Sequence, residues 1–220
     1  MSYGELWRVT SGLGTFIFGC CRKLFRKALP LEHGFSHPES ITVIDFDQLP
    51  TKVNEALRPA IEECETLGLR RIFCHTVPTI GKIQGFTANS LSQDGTVWAS
   101  VAWVSVQSGI RYRERVIFGC CSKLQDGRIL ATSNSKLRLN TPPGIEAVRL
   151  HGRSISDVVF RHRDRMACTL TCSPLCLDES GVRAAINEIR RRTAEFNFKR
   201  GVWVPMTRAE IEKLRGEQLL

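Results

Sequence analysis

Ser90-Leu-Ser-Gln-Asp94-Gly95-Thr-Val-Trp-Ala-Ser100 is the stretch that decides the fold, and it returns later as Ser122-Lys-Leu-Gln-Asp126-Gly127-Arg-Ile-Leu-Ala-Thr132. Asp-Gly supplies the left-handed dihedrals of a tight hairpin turn, so each copy predicts two antiparallel strands joined by very few residues. Sequential strands joined this way are neighbours in one sheet. Working outward, strands are expected at 70–77, 82–91, 96–106, 110–121 and 128–134. Val97 to Val106 is apolar on both faces, as in a central strand covered on two sides. The expected class is therefore α+β: an antiparallel meander of about five strands over residues ~70–134, packed with helices from both ends of the chain.

The flanks supply those helices. Thr51 caps a helix over 52–67, with Val53, Leu57, Ala60, Ile61, Cys64 and Leu67 at helical spacing and Gly68 as its stop. Pro59 is expected to kink or divide it. Ile41 to Phe46 is rich in β-branched residues and predicts a short strand. Pro142-Pro143-Gly144 breaks the meander, and Ile145 to Leu150 reads as an edge strand. Ser154 and Asp157 form a capping-box start for a helix to about 167, with Ile155, Val158, Val159, His162 and Met166 on one face. A further helix over 181–196 turns Val182, Ile186 and Ile189 inward and Arg190, Arg191 and Arg192 mostly outward. Thr207 and Glu210 cap a short last helix.

The chain has 220 residues, 42% hydrophobic and 24% charged. That is ordinary globular composition, and it excludes a wholly disordered, collagen-like or polytopic membrane protein. Lys plus Arg is 31 against 22 acids, a net charge of +9. The excess favours anionic partners: lipid headgroups, nucleic acid or phosphorylated ligands. Nine cysteines, an odd number with two adjacent pairs, read as reduced thiols of a cytoplasmic protein rather than a disulfide framework.

Three units are expected: a basic amphipathic N-terminal helix over 1–29, a Pro/Gly/His linker at 30–40, and a single α+β domain over 41–220. On a helical projection Leu13, Phe16, Ile17, Cys20, Cys21, Leu24, Phe25 and Ala28 occupy one half of the first unit. Arg22 and Arg26 lie opposite, with Lys23 and Lys27 at the boundary. A Phe-rich face backed by bases is the pattern of a helix lying in a membrane interface. The apolar run from Leu13 to Cys21 is too short to span a bilayer. An octapeptide also recurs, Ile17-Phe-Gly-Cys-Cys-Arg-Lys-Leu24 and Ile117-Phe-Gly-Cys-Cys-Ser-Lys-Leu124, with unmatched flanks.

Chemical motifs are sparse. The chain has no nucleophile elbow, zincin motif, dinucleotide fingerprint or phosphate loop, so the reading leans away from an enzyme, and no cofactor is expected. Arg111, Arg113 and Arg115 alternate along one strand, share one face, and form a candidate anion-binding row. Cys168, Cys172 and Cys176 suggest a metal- or thiol-dependent alternative, although every gap is three residues and structural zinc sites favour tighter pairs. Cys74 and His75, adjacent on a strand, point to opposite faces and cannot act together.

The expected function is non-catalytic. The N-terminal segment docks on an anionic membrane surface or a protein partner through Phe16, Ile17, Arg22, Lys23, Leu24, Phe25, Arg26 and Lys27, and the α+β domain carries a ligand or partner site. A second class is the metal or thiol protein built on the three cysteines. A third is a nucleic-acid-binding domain using the arginine face. The expected location is cytoplasmic, at or near a membrane surface.

Overall fold

The computed structural model describes residues 2–9, 13, 16, 17, 20, 21, 41–76, 83–108, 111–136, 140–169 and 172–202. Helix α1 (Tyr3–Val9) precedes strand β1 (Thr42–Ile44), and α2 (Thr51–Thr66) follows. Then come β2 (Leu69–Thr76), β3 (Ile83–Ser92), β4 (Trp98–Ser108), β5 (Arg111–Lys123), β6 (Ile129–Ser133), β7 (Ile145–Arg149), α3 (Ile155–Ala167) and α4 (Glu179–Lys199). The fold is α+β, as the hairpin signals predict. Its sheet has seven strands in the order of the chain, because β1 and β7 extend the five-stranded meander at its two edges.

Both Asp-Gly turns close hairpins. Leu91 pairs with Trp98, and Lys123 with Ile129, antiparallel in both cases. Gly95 and Gly127 have φ of 70° and 81°, the left-handed region that a tight turn demands of its glycine. Among the described strands the β6–β7 pair alone is parallel. The intervening link contains Pro142, whose φ is fixed, and Gly144, at φ 80°, and it carries the chain back so that β7 starts beside Ile129.

The sheet is covered on both faces. On one, Val53, Leu57, Ile61 and Cys64 of α2 and Val158 and Val159 of α3 pack on Cys74, Ala88, Ala99, Val101, Trp103, Phe118 and Cys120. On the other, Val182 and Ala185 of α4 pack with Phe73, Leu91, Trp98, Ile129 and Ile145. Adjacent β4 residues thus feed both cores, which is why this strand reads as continuously apolar.

Pro59 neither divides nor ends α2, which runs unbroken through it. The ring lies on the exposed side, and the carbonyl four residues back belongs to exposed Glu55, so solvent takes the orphaned acceptor. Ser154 and Asp157 form the expected reciprocal cap of α3. The recurring octapeptide adopts two structures: Ile17, Cys20 and Cys21 are helical, whereas Ile117 to Lys123 is strand. Cross-strand partners override local preference in the second copy. Among the described residues no helix is long and apolar enough to cross a membrane. The expected helix at 207 and the linker at 30–40 lie outside the described residues.

Helix α1 is fastened to the domain. Glu5 Oε1 accepts from Asn140 N at 2.9 Å, Oε2 accepts from Ser2 N at 2.7 Å, and Arg200 pairs with the same carboxylate. Glu5 and Leu6 are wholly buried. Burial works against the ionised carboxyl, but the two backbone N–H groups and Arg200 outweigh it and hold Glu5 at about 2. Residues 2–9 therefore belong to the body of the protein rather than to a free appendage.

Candidate functional site

The sheet face under α4 carries a polar band. Cross-strand register sets Asn89, Ser100, Gly119, Ser133 and Arg149 in one row through β3 to β7. His75 begins the row above it, followed by Thr87, Ala102 and Ile117. Arg149 Nη1 donates to Ser133 Oγ at 3.0 Å. Burial pulls the Arg149 guanidinium below its usual value. Gly119 is closely packed here, since a Cβ would stand 3.2 Å from that of Ser133.

At the β2 end the band is a fixed hydrogen-bond chain. Ser100 Oγ donates to Asn89 Oδ1 at 2.9 Å, and Asn89 Nδ2 donates to the Phe73 carbonyl at 3.3 Å and meets His75 Nδ1 at 2.8 Å. A carbonyl only accepts, so the amide nitrogen faces Phe73 and His75, and His75 Nδ1 must accept. Its proton then sits on Nε2. Burial, with the charge of Arg190 adding to it, pushes His75 down to about 4, so the ring is neutral at physiological pH. The chain contains serine, amide and imidazole, but Asn89 separates the other two. Ser100 has no base at its hydroxyl, which argues against a nucleophilic triad.

A second buried histidine is structural. His162 of α3 lies between Ser122 Oγ at 3.0 Å from Nε2 and Thr132 Oγ1 at 3.0 Å from Nδ1. Ser122 donates its proton to Thr96 O, and Arg165 donates to Thr132 Oγ1. His162 Nε2–H therefore donates to Ser122, and Thr132 donates to Nδ1. Burial holds His162 at about 4. Every ring nitrogen is satisfied, so the residue ties α3 to the sheet.

The arginine row expected to bind anions lies on the α4 face of the sheet, above the polar band. Arg113 pairs across from Val106 and Arg115 from Val104, and both arginines are exposed. Glu114 is on the opposite face, where it pairs with Lys52, so it does not neutralise them. Arg111 opens the same strand, but its side chain lies outside the described residues.

The cysteine row does not converge. Cys168 ends α3 in an exposed position. Cys172 Sγ accepts from Asp126 N at 3.3 Å on one hairpin, whereas Cys176 Sγ donates to Asp94 O at 2.9 Å on the other. Leu175 N bonds Lys123 O, and Leu177 N bonds Gly95 O, both at 2.8 Å. The segment 172–178 is thus a strap across both Asp-Gly turns. Among the described residues no group of three His, Cys, Asp or Glu side chains is placed to hold a metal. Cys74 and His75 face opposite cores, as strand alternation predicts. All nine thiols are free.

In the N-terminal segment Leu13 and Ile17 are 63% and 53% exposed, and Trp7 of α1 is 56% exposed with Phe16 edge-on to it at 5.0 Å. Arg22, Lys23, Leu24, Phe25, Arg26 and Lys27 lie outside the described residues. In the groove beside the β3–β4 turn that Arg163 lines, its guanidinium donates to Leu67 O at 2.9 Å.

Comparison with known proteins finds no matching family model, no matching curated protein and no matching solved structure. The functional reading rests on the residues themselves.

Proposed function

We propose that this is a non-catalytic protein that docks on an anionic membrane surface through its N-terminal segment and presents the α+β domain there as a binding module. The supporting observation is the exposure of Trp7, Leu13 and Ile17, three large apolar side chains within seventeen residues. In sequence they are followed at once by Arg22, Lys23, Arg26 and Lys27. Apolar side chains enter the headgroup boundary while neighbouring bases meet lipid phosphate, each base worth about 1 kcal/mol near such a surface. The Glu5–Arg200 pair and the Asn140 contact give this segment a fixed root on the domain.

Cosedimentation with phosphatidylserine/phosphatidylcholine vesicles tests the reading. The full chain is expected to pellet with them. Replacing Arg22, Lys23, Arg26 and Lys27 by Gln should weaken binding most at low salt, because exposed charges are screened beyond about 10 Å at 0.1 M. Replacing Leu13 and Ile17 by Ser should weaken it at every salt concentration, since that contribution is apolar burial. Full-length protein that stays in the supernatant at low salt would reject lipid as the partner.

A further inference from the structure

Helix α4 leaves half of its sheet face uncovered, and that half is cationic. The core under α4 includes Leu91, Trp98 and Ile129, which flank the Asp-Gly turns. Towards the other end of the strands the register sets Thr87, Ala102 and Ile117 in one row and Gly85, Val104 and Arg115 in the next. Apart from exposed Arg115 these residues are half-buried, and Ala102, Val104 and Ile117 belong to neither core. Arg113 and Arg115 share this face of β5. Alternate residues of a strand stand about 6.6 Å apart with their side chains side by side. Both arginines are exposed, and neither has a hydrogen-bond or carboxylate partner among the described residues.

The charge on this face has one sign. Arg149 lies on it and donates to Ser133 Oγ, and neither Arg149 nor Arg190 of the covering helix has a carboxylate among the described residues. Glu114 is turned to the opposite face, with Lys52. The acids of α4 are already engaged: Glu179 with Arg183, Glu188 with Lys123 and Arg192, and Glu195 with Arg191. From Leu67 to Ile145 the sequence has three acids, Asp94, Glu114 and Asp126, and both aspartates sit in the turns at the far end. We propose that Arg113 and Arg115 form a phosphate-binding track for single-stranded nucleic acid on the uncovered half of the sheet.

The geometry selects this class of polyanion. A planar guanidinium grips a phosphate through two parallel N–H donors, and the step between the two arginines is close to that between successive phosphates of an extended strand. Helix α4, about 10 Å across with its side chains, rises beside the track. A narrow chain passes beside such a wall, whereas a planar bilayer or a stiff duplex is held off. The described part of this face offers no exposed aromatic ring for bases, so phosphate contacts dominate and binding is salt-sensitive. The track involves neither the N-terminal segment nor lipid, so it stands or falls apart from membrane docking.

Fluorescence anisotropy of a labelled oligouridylate of about ten nucleotides, titrated with the full chain between about 50 and 200 mM salt, provides the test. Arg113→Gln and Arg115→Gln should each flatten the slope of log K against log salt by about 0.7, and the double variant by about 1.4. Arg113→Lys, which keeps the charge, should keep the slope. Arg191→Gln, which removes an exposed base paired elsewhere, should leave it unchanged. The oligoadenylate–oligouridylate duplex should compete less well than the single strand. The double variant should still pellet with phosphatidylserine vesicles as the unmodified chain does. Slopes unchanged in the double variant, an equal loss in Arg191→Gln, better competition by the duplex, or loss of vesicle binding in place of oligonucleotide binding would overturn the proposal.

Discussion

Glu5 and Arg200 stand at opposite ends of the described chain and meet in an ion pair whose carboxylate is wholly buried. The pair sets α1 against the end of α4. It turns the N-terminal segment into a rooted feature of the domain.

Removing one partner leaves a buried charge without compensation. Glu5→Ala or Arg200→Ala should each cost about 3 kcal/mol in urea unfolding. The double variant should cost clearly less than the two singles together, because the pair acts as a unit. Strictly additive losses would mean that the two groups do not meet.

The buried histidines predict an acid-sensitive fold. His75 and His162 titrate at about 4 when folded, against 6.5 ordinarily. Between those values the unfolded chain takes up protons that the folded chain refuses, so stability falls as pH drops through that window. Each histidine accounts for at most about 3 kcal/mol. Glu5 acts lower: held at about 2, its contribution is intact above 4.5 and fades as pH falls towards 2. His162→Gln should roughly halve the loss between pH 6.5 and 4, read from urea midpoints.

The two Asp-Gly turns look alike in sequence and differ in surroundings. A Cβ on Gly95 would stand 2.5 Å from Leu177 O and 2.8 Å from Cys176 Sγ, whereas Gly127 has nothing within 4 Å. Gly127→Ala should cost about 1 kcal/mol, the strain of positive φ alone. Gly95→Ala must also displace the strap and should cost at least about 2 kcal/mol more, by thermal unfolding. Equal losses would show that the strap does not rest on the first turn.

Thiol chemistry separates the cysteines. Burial pushes Cys64, Cys74 and Cys121 to about 12 and raises Cys120 well above the ordinary thiol value, so these four should resist alkylation in the folded protein. The exposed Cys21, Cys168 and Cys176 should react first, and all nine should react in denaturant. Mass spectrometry after brief iodoacetamide treatment reads both numbers.

The hairpins were legible because Asp-Gly encodes its own turn, and Val97 to Val106 announced a strand buried twice over. The direction of β7 was not legible, since no local signal after Pro142-Pro143-Gly144 states which way a strand will pair. The strap was missed because Cys172 and Cys176 are held by backbone atoms of distant turns, not by each other. Arg190 was read as mostly outward from helical spacing alone, yet it is partly buried, with its Nε shut away from solvent. The His75–Asn89 bond joins residues on different strands, and only the register brings them together.

Trp7 reports most directly on the central claim, that the N-terminal segment meets an anionic membrane. Trp98 and Trp103 are buried in the sheet, so Trp7 should dominate quenching by lipid among the described tryptophans. Tryptophan emission is followed as the full chain is mixed with phosphatidylserine vesicles carrying brominated acyl chains. The account predicts quenching that disappears in Trp7→Phe and weakens when Arg22, Lys23, Arg26 and Lys27 become Gln. Emission unchanged by the vesicles at low salt, or quenching that survives in Trp7→Phe, would contradict it.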